Sequence, residues 1–314
     1  MHHHHIAKAA ALTLCALLLL SAPGCVRGEG PVRVALIVSS DTGYYWENIL
    51  DGADAAAQRL GADLRCYAPD EEADLALEML PELALEEGAD ALVVASAGEK
   101  ELVEKLRQLD DVPVVALGDA LDELAPVSAV INDDSKMGEN MALALSGRVE
   151  KGGSVLLLTD TPEFDGVEQR ETRLRSGAFT QRLSIAKRIY TGNNREWAYR
   201  QTLQQLYLNP ELDAVVAFSA ESTVGAAQAV EYLNRSLVIV GTDVVPDLVE
   251  CIESGRVTAS VVRNSFGMGY LGVEYASAHL AGEETPERRT LTGVVVTRDN
   301  LYTTDVEKVV FPYE

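Results

Sequence analysis

Two segments of this chain, residues 89–119 and 212–243, contain the same order of elements. In each segment the residue pattern predicts an apolar strand, a Ser-Ala pair, an acidic helix, a second apolar strand and an aspartate. Strands that alternate with helices favour a parallel sheet. The repetition therefore predicts two similar α/β lobes, with polar residues at matching strand ends. The matching residues are Ser96 with Ser219, and Asp119 with Asp243.

The second half of the chain continues the alternation. Apolar runs at residues 237–240 and 257–262 predict buried strands, and each is followed by a helix that ends at a glycine. Asp243 and Arg263 stand where these strands stop. Ligands bind at the carboxyl ends of strands in open α/β sheets, where a carboxylate accepts hydroxyl protons and a guanidinium donates. The alternative is that Asp243 organises its turn and Arg263 forms a surface ion pair.

The first half predicts a strand at 32–38, a helix at 44–61 and a helix at 73–87. Tyr45 and Trp46 begin the first helix, just past the strand, and aromatic rings there can stack on the apolar face of a sugar. Core packing of Trp46 is the alternative. Asp134 lies where a short strand gives way to a helix, so capping that helix competes with ligand contact.

The amino terminus resembles an export signal. Residues 6–20 form an apolar run that is too short for a confident membrane span, and small residues then precede Cys25. We expect residues 1–25 to be a lipoprotein signal peptide that contains His2–His5, with Cys25 lipidated; ordinary secretion with Cys25 free is the alternative. Two further cysteines, Cys66 and Cys251, are expected to be buried and unpaired.

The formal net charge of −23 disfavours nucleic acid as a partner, because phosphate binding needs basic surfaces. Outside the amino-terminal run the sequence has one histidine, His279, within a predicted helix. The sequence lacks CxxC, HExxH and phosphate-loop motifs. We therefore expect no catalytic residues, no metal and no cofactor.

Several of these motifs together resemble the type I periplasmic sugar-binding proteins, the ribose-binding-protein family. They are Gly241-Thr242-Asp243, Gly255, the strand 258–262, Met268-Gly269 and Gly282-Glu283, and the resemblance extends over residues 32–301. It implies an α/β fold of two similar doubly wound parallel-sheet lobes joined by a multi-strand hinge. The implied N-terminal lobe is 31–133 plus 264–291, and the C-terminal lobe is 134–263 plus 292–314.

The resemblance also implies which residues meet the ligand. The family has an aromatic pair at the positions of Tyr45 and Trp46, and an arginine before a Gly-Phe-like pair. Arg173 is chosen for that role ahead of Arg170, although salt bridges to neighbouring glutamates compete. The expected ligand-binding set is Tyr45, Trp46, Asp119, Asp134, Arg173, Ser219, Asp243 and Arg263.

The implied function is that of an exported, monomeric solute-binding protein, periplasmic or lipid-anchored to the outer face of the cell membrane. It would bind a small sugar-like ligand and deliver it to the membrane permease of an ABC transporter. A sensory binding protein of the same fold is the alternative.

The sequence departs from the family at Asp119 and at Ser219. It also departs at Arg263, a position where relatives often have an amide. Either the ligand is acidic, or Arg263 pairs with Asp243, Asp134 or Asp119 and the ligand is neutral.

Overall fold

The structure is a computed structural model that describes residues 30–40, 42–96, 99–109, 111–118, 121, 124–159 and 166–311. The expected signal peptide with His2–His5, the lipidation site Cys25 and the candidate Asp119 lie outside the described residues. In the part of the chain that is described, no helix is both long and apolar enough to cross a membrane. Both sheets of the fold belong to one compact unit, Val32–Glu314.

The first sheet has six strands in the described residues, in the order β11-β5-β4-β3-β1-β2, and all its pairs are parallel. Its two middle strands are continuous apolar runs, as expected for strands covered on both faces. The strands are β1 Arg33–Val38, β2 Asp63–Tyr67, β3 Ala91–Ala95, β4 Val114–Leu117, β5 Ser128–Asn132 and β11 Arg288–Leu291.

The second sheet repeats this arrangement, with the described strands in the order β12-β10-β9-β8-β6-β7. Its pairs are parallel except that the edge strand β12 runs antiparallel to β10. The matching strand orders confirm the prediction of two similar parallel-sheet lobes. The strands are β6 Ser154–Thr159, β7 Ser184–Tyr190, β8 Leu212–Ala217, β9 Val238–Thr242, β10 Ala259–Val262 and β12 Val294–Val296.

Helices cover both faces of each sheet, so each lobe has a buried apolar cluster on either side of its sheet. This is the doubly wound arrangement that alternating strands and helices predict. The helices are α1 Tyr44–Leu60, α2 Leu80–Glu86, α3 Lys100–Arg107, α4 Asp134–Leu145, α5 Val167–Thr180, α6 Arg195–Leu208, α7 Ala220–Tyr232, α8 Pro246–Glu253, α9 Ser265–Leu280 and α10 Thr304–Val310, with a 3₁₀ turn at Leu77–Met79.

The second helix is shorter than the predicted 73–87. It begins at Leu80, after the 3₁₀ turn, and Pro81 lies in its first turn. Proline has no N–H to donate to a preceding turn and its ring clashes there, so it fits the start of a helix but not its interior. The predicted start of the helix was wrong because it was based on the spacing of apolar residues and did not allow for this restriction on proline.

The chain passes between the lobes at three points within the described residues: after β5, after β10, and between β11 and β12. The second passage carries α9 from the second sheet back onto α1 of the first lobe. The two helices approach closely at Gly52, where an added Cβ would lie 1.9 Å from the carbonyl oxygen of Phe266. This contact fixes α9, and the hinge segment before it, against the first lobe.

Both described cysteines are free thiols, one in each lobe. Cys251 in α8 is buried, as expected. Cys66 is exposed, and the expectation that it is buried was wrong. The reason is its place in β2, the edge strand of the first sheet, whose burial pattern is weaker than that of the central strands.

Candidate functional site

A cavity of about 240 Å³ lies between the carboxyl ends of the two sheets. The first lobe contributes the loop after β1, the start of α1 and the ends of β3, β4 and β5. The second lobe contributes the loops after β7, β8, β9 and β10. Parallel strands place all their carboxyl ends on one edge of a sheet, so two facing edges bring these residues together.

Asp243 and Arg263 form an ion pair in the wall of this cavity. Arg263 Nε donates to both carboxylate oxygens of Asp243 at 3.1 Å, and Nη2 donates to Oδ2. The backbone N–H of Arg263 also donates to Oδ1, at 3.1 Å. Asp243 has a φ of 58°, a left-handed conformation that aspartate tolerates better than most residues. The two side chains are only 16% and 17% exposed, so the pair is largely removed from solvent.

Arg263 also reaches the opposite lobe. Its guanidinium carbon lies 3.9 Å from the centre of the Tyr45 ring, in the geometry of a cation–π contact. Burial lowers the pKa of Arg263, but the adjacent Asp243 carboxylate more than offsets this, and the net effect raises the pKa above its ordinary value. Arg263 is therefore a fixed positive charge, held between a carboxylate of one lobe and an aromatic face of the other.

A second buried pair joins Asp134 to Arg170. Arg170 Nε donates to Asp134 Oδ1 at 2.9 Å and Nη2 donates to the same oxygen. Arg170 is 2% exposed, and its guanidinium carbon lies 5.3 Å from the centre of the Phe218 ring. Asp133, not Asp134, caps α4, by accepting from the N–H of Lys136 at 2.8 Å. Asp134 is thereby left to face the cavity.

Arg173, the favoured arginine of the sequence prediction, does not line the cavity; Arg170 does. Arg170 stands in the first turn of α5, next to the loop that borders the cavity. Arg173 lies about one turn further along the helix, beside Gly138 of α4, and is exposed. The way in which α5 packs against α4 therefore selects Arg170, which replaces Arg173 in the candidate set.

Tyr45 and Trp46 both line the cavity, as predicted from their place at the start of α1. Their rings meet edge to face, with centres 5.1 Å apart. Both are also partly buried against the apolar cluster of the first lobe. Trp46 therefore packs against the core and also lines the cavity, so the two alternatives for this residue are compatible. Together Tyr45 and Trp46 form an aromatic wall opposite the second lobe.

Ser219 lines the cavity as well, but its side chain is engaged in the start of α7. Its hydroxyl accepts from the N–H of Ser222 at 3.4 Å and donates to the Ser222 hydroxyl at 2.9 Å. Glu221, which follows it at the cavity, accepts from Arg195 Nε at 2.6 Å. The main role of Ser219 is therefore to cap α7. This cap fixes the loop that carries Phe218 and Glu221.

Among the cavity residues that the sequence analysis missed are Asn132, Phe218 and Asn193. Asn132 is the last residue of β5, so the strand-end rule that selected Asp243 could also have selected it. Phe218 follows β8 directly, but its apolar character assigned it to the strand. Asn193 lies in the loop after β7 with a φ of 51° and has no pattern that marks it.

The comparisons with known proteins agree with this geometry. Residues 34–284 match the family described as the periplasmic binding protein domain. The ribose import binding protein RbsB of Escherichia coli is 21% identical over 87% of this chain and 93% of its own length. A D-ribose/D-allose-binding protein of Pseudomonas aeruginosa is 26% identical over 97% of each chain.

Solved structures show the same fold. A carbohydrate transporter solute-binding protein of Agrobacterium radiobacter, in complex with D-arabinose, superposes with a TM-score of 0.79 at 23% identity, over 90% of this chain and 100% of that one. A transporter solute-binding protein of Agrobacterium vitis with bound D-fucose gives a TM-score of 0.80 at 23% identity, over 89% and 100%. At these identities the likeness establishes the architecture.

Proposed function

Because this chain belongs to the periplasmic binding protein family, we propose that it is an extracytoplasmic solute-binding protein that closes on a small polar ligand. The ligand class is a sugar or sugar derivative, which the protein delivers to the membrane permease of an ABC transporter. The observation that carries the proposal is the cavity itself, which draws its walls from both lobes at the carboxyl ends of their strands. The chain is a binding protein and not an enzyme.

The lining has the chemistry that a polyhydroxylated ring requires. Tyr45 and Trp46 offer an aromatic wall for the apolar C–H face of a sugar. Asp134 and Asp243 offer carboxylate oxygens to hydroxyl donors, and the guanidinium groups of their partners offer N–H donors to hydroxyl oxygens. The pairs hold these groups rigid before a ligand arrives, which reduces the ordering cost of binding.

The same pairs favour a neutral ligand over a sugar acid. Arg170 and Arg263 each have a carboxylate partner within the cavity wall. An acidic ligand would have to compete with that carboxylate for the cation. Glu221 is likewise paired, with Arg195. The net charge of −23 adds a field that disfavours anions. Arg263 was explained either by an acidic ligand or by an internal pair with a neutral ligand. The pair with Asp243 supports the second explanation.

We propose as ligand-contact residues the aromatic pair and the two ion pairs: Tyr45, Trp46, Asp134, Arg170, Asp243 and Arg263. Asp119 stays a candidate because it follows β4, whose last residue Leu117 lines the cavity. Lobe bounds of 31–133 plus 264–291 and of 134–263 plus 292–314 are supported by the place of β11 in the first sheet and of β12 in the second. Lipidation at Cys25, attachment to the outer face of the cell membrane and a monomeric state complete the proposal.

The experiment is a thermal-shift screen of the mature protein, confirmed by calorimetric titration. The probes are D-ribose, D-allose, D-arabinose, D-fucose and D-tagatose. A sugar present at one hundred times its dissociation constant stabilises the folded state by about 2.7 kcal/mol, which raises Tm by roughly 5 °C or more. Wild-type protein whose Tm and heat of titration are unchanged by every sugar in the panel contradicts the proposed ligand class.

A further inference from the structure

One acceptor atom at the cavity has no hydrogen-bond partner. Among the described residues, four buried side-chain polar atoms lack a partner, and of these only Asn132 Oδ1 belongs to a residue that lines the cavity. Asn132 is 9% exposed and ends β5, just before the chain passes to the second lobe. A buried amide oxygen that is left unpaired is unfavourable, and native structures seldom keep one without a reason.

The amide of Asn132 is held in place from its other end. Its Nδ2 donates to the thioether sulfur of Met268 at 3.1 Å, and the hydroxyl of Tyr45 donates to the same sulfur at 3.8 Å. Met268 is fully buried in α9 and is therefore a fixed anchor. With the nitrogen directed at Met268, the oxygen of the planar amide must point elsewhere and cannot turn to find a partner without breaking this contact.

We propose that Asn132 Oδ1 accepts a hydrogen bond from one hydroxyl group of the bound sugar and selects ligands that carry this hydroxyl. The proposal rests on the proposed function and adds a specificity determinant to it. The oxygen is buried and unpaired in the structure, so a hydroxyl donor brought in by the ligand would satisfy an acceptor that otherwise carries a penalty. A site built to hydrogen-bond a hydroxyl rejects the analogue that lacks it, because the buried group is then left unpaired.

Met268 has a positioning role in this scheme. By accepting from both Asn132 and Tyr45, it couples the amide that reads a hydroxyl to the aromatic wall that carries the ring. The hydroxyl is therefore read at a defined place relative to the ring face. The selected ligand is a neutral sugar that presents a hydroxyl at the end of β5 while its C–H face lies on Tyr45.

The test uses the mature protein and two variants, Asn132→Leu and Asn140→Leu. Leucine has the same branching at Cγ as asparagine but has neither amide donor nor acceptor. Asn140 is in α4 and does not line the cavity, so its variant controls for the loss of an amide elsewhere. Dissociation constants are measured by calorimetry for the sugar of the panel above that binds best, and for each of its monodeoxy analogues.

We expect Asn132→Leu to bind the parent sugar about 10- to 100-fold more weakly than wild type, and Asn140→Leu to bind it equally well. Wild type should reject one monodeoxy analogue by a similar factor, and Asn132→Leu should no longer distinguish that analogue from the parent. The Tm of the ligand-free Asn132→Leu protein should change little, because the variant removes an unpaired acceptor together with only a weak N–H···S contact to Met268.

Three results would overturn the proposal. One is parent-sugar affinity in Asn132→Leu equal to that of wild type; another is an equal loss of affinity for the parent sugar and for every analogue, which indicates a structural role. The third result needs no variant. If wild type binds every monodeoxy analogue as tightly as the parent sugar, then no single hydroxyl determines its specificity. In each case the sugar still binds, so the proposed function stands. If no sugar of the panel binds, the proposed function and the proposed role of Asn132 are both wrong.

Discussion

The ion pair between Asp243 and Arg263 offers a quantitative test of the cavity wall. In the variant Asp243→Asn the amide oxygen can still accept from the backbone N–H of residue 263, but the charge that faces the guanidinium is lost. Arg263 is then a cation that is only 17% exposed, with the Tyr45 ring against its guanidinium and Asp134 as the carboxylate that still acts on its charge. We expect the variant to lower the free energy of unfolding and, since Asp243 is a proposed ligand contact, the affinity for sugar.

The magnitude follows from the burial of the pair. Breaking a fully buried ion pair destabilises a protein by about 3–5 kcal/mol, since one charge is left uncompensated. Here each side chain retains roughly one-sixth exposure, so water screens part of the effect and we expect about 2–4 kcal/mol. The reverse variant, Arg263→Gln, should have an effect of similar size. The double variant Asp243→Asn/Arg263→Gln should fall short of the sum by about 1–3 kcal/mol.

The assay is urea unfolding of wild type, the two single variants and the double variant, with a second cycle as control. The control is the pair Glu196 and Arg200 on α6, whose side chains are 66% and 67% exposed. Its coupling energy should not exceed about 0.5 kcal/mol. If the cavity pair gives a coupling energy no larger than the surface pair, then the reasoning that it is buried, rigid and part of the wall fails.

The remaining predictions concern affinity and packing. Arg170→Gln should reduce sugar affinity by more than tenfold in calorimetry, whereas Arg173→Gln, an exposed change, should leave it unaltered; equal effects would contradict the choice of Arg170. A neutral sugar that binds should do so more tightly than its uronic acid, and the reverse order would contradict the paired-charge argument. Gly52→Ala should lower Tm by several degrees because its Cβ would meet a backbone carbonyl at 1.9 Å, while Gly30→Ala, with nothing within 4 Å, should not; equal Tm values would show that α1 and α9 separate freely.

Most of the fold was predictable because its signals are local. Continuous apolar runs that stop at glycine or at polar residues predict the buried strands, and β3 with its five buried residues is an example. The recurrence of this pattern in residues 89–119 and 212–243 predicted two similar lobes, and the two sheets have matching strand orders. The error at α2 was local too, since Pro81 was available to correct it.

Part of the cavity was also predictable, because parallel strands direct all their carboxyl ends to one edge. That rule alone brings Asp243 and Arg263 to the cavity, and it applies equally to Asn132, which the sequence analysis passed over. It states which edge a residue occupies. It does not state which side chains meet there, because contacts across an edge depend on neighbouring strands and helices that are distant in sequence.

Tertiary structure alone decided these contacts. The sequence by itself determined two α/β lobes with carboxylates and aromatic residues at the strand ends, since strand and helix periods are properties of consecutive residues. The choice of Arg170 over Arg173 depended on how α5 lies against α4, and the stacking of Arg263 on Tyr45 depended on how one lobe faces the other. The contact of Arg263 with Tyr45 joins residues more than two hundred positions apart, at a distance that only the packed molecule defines.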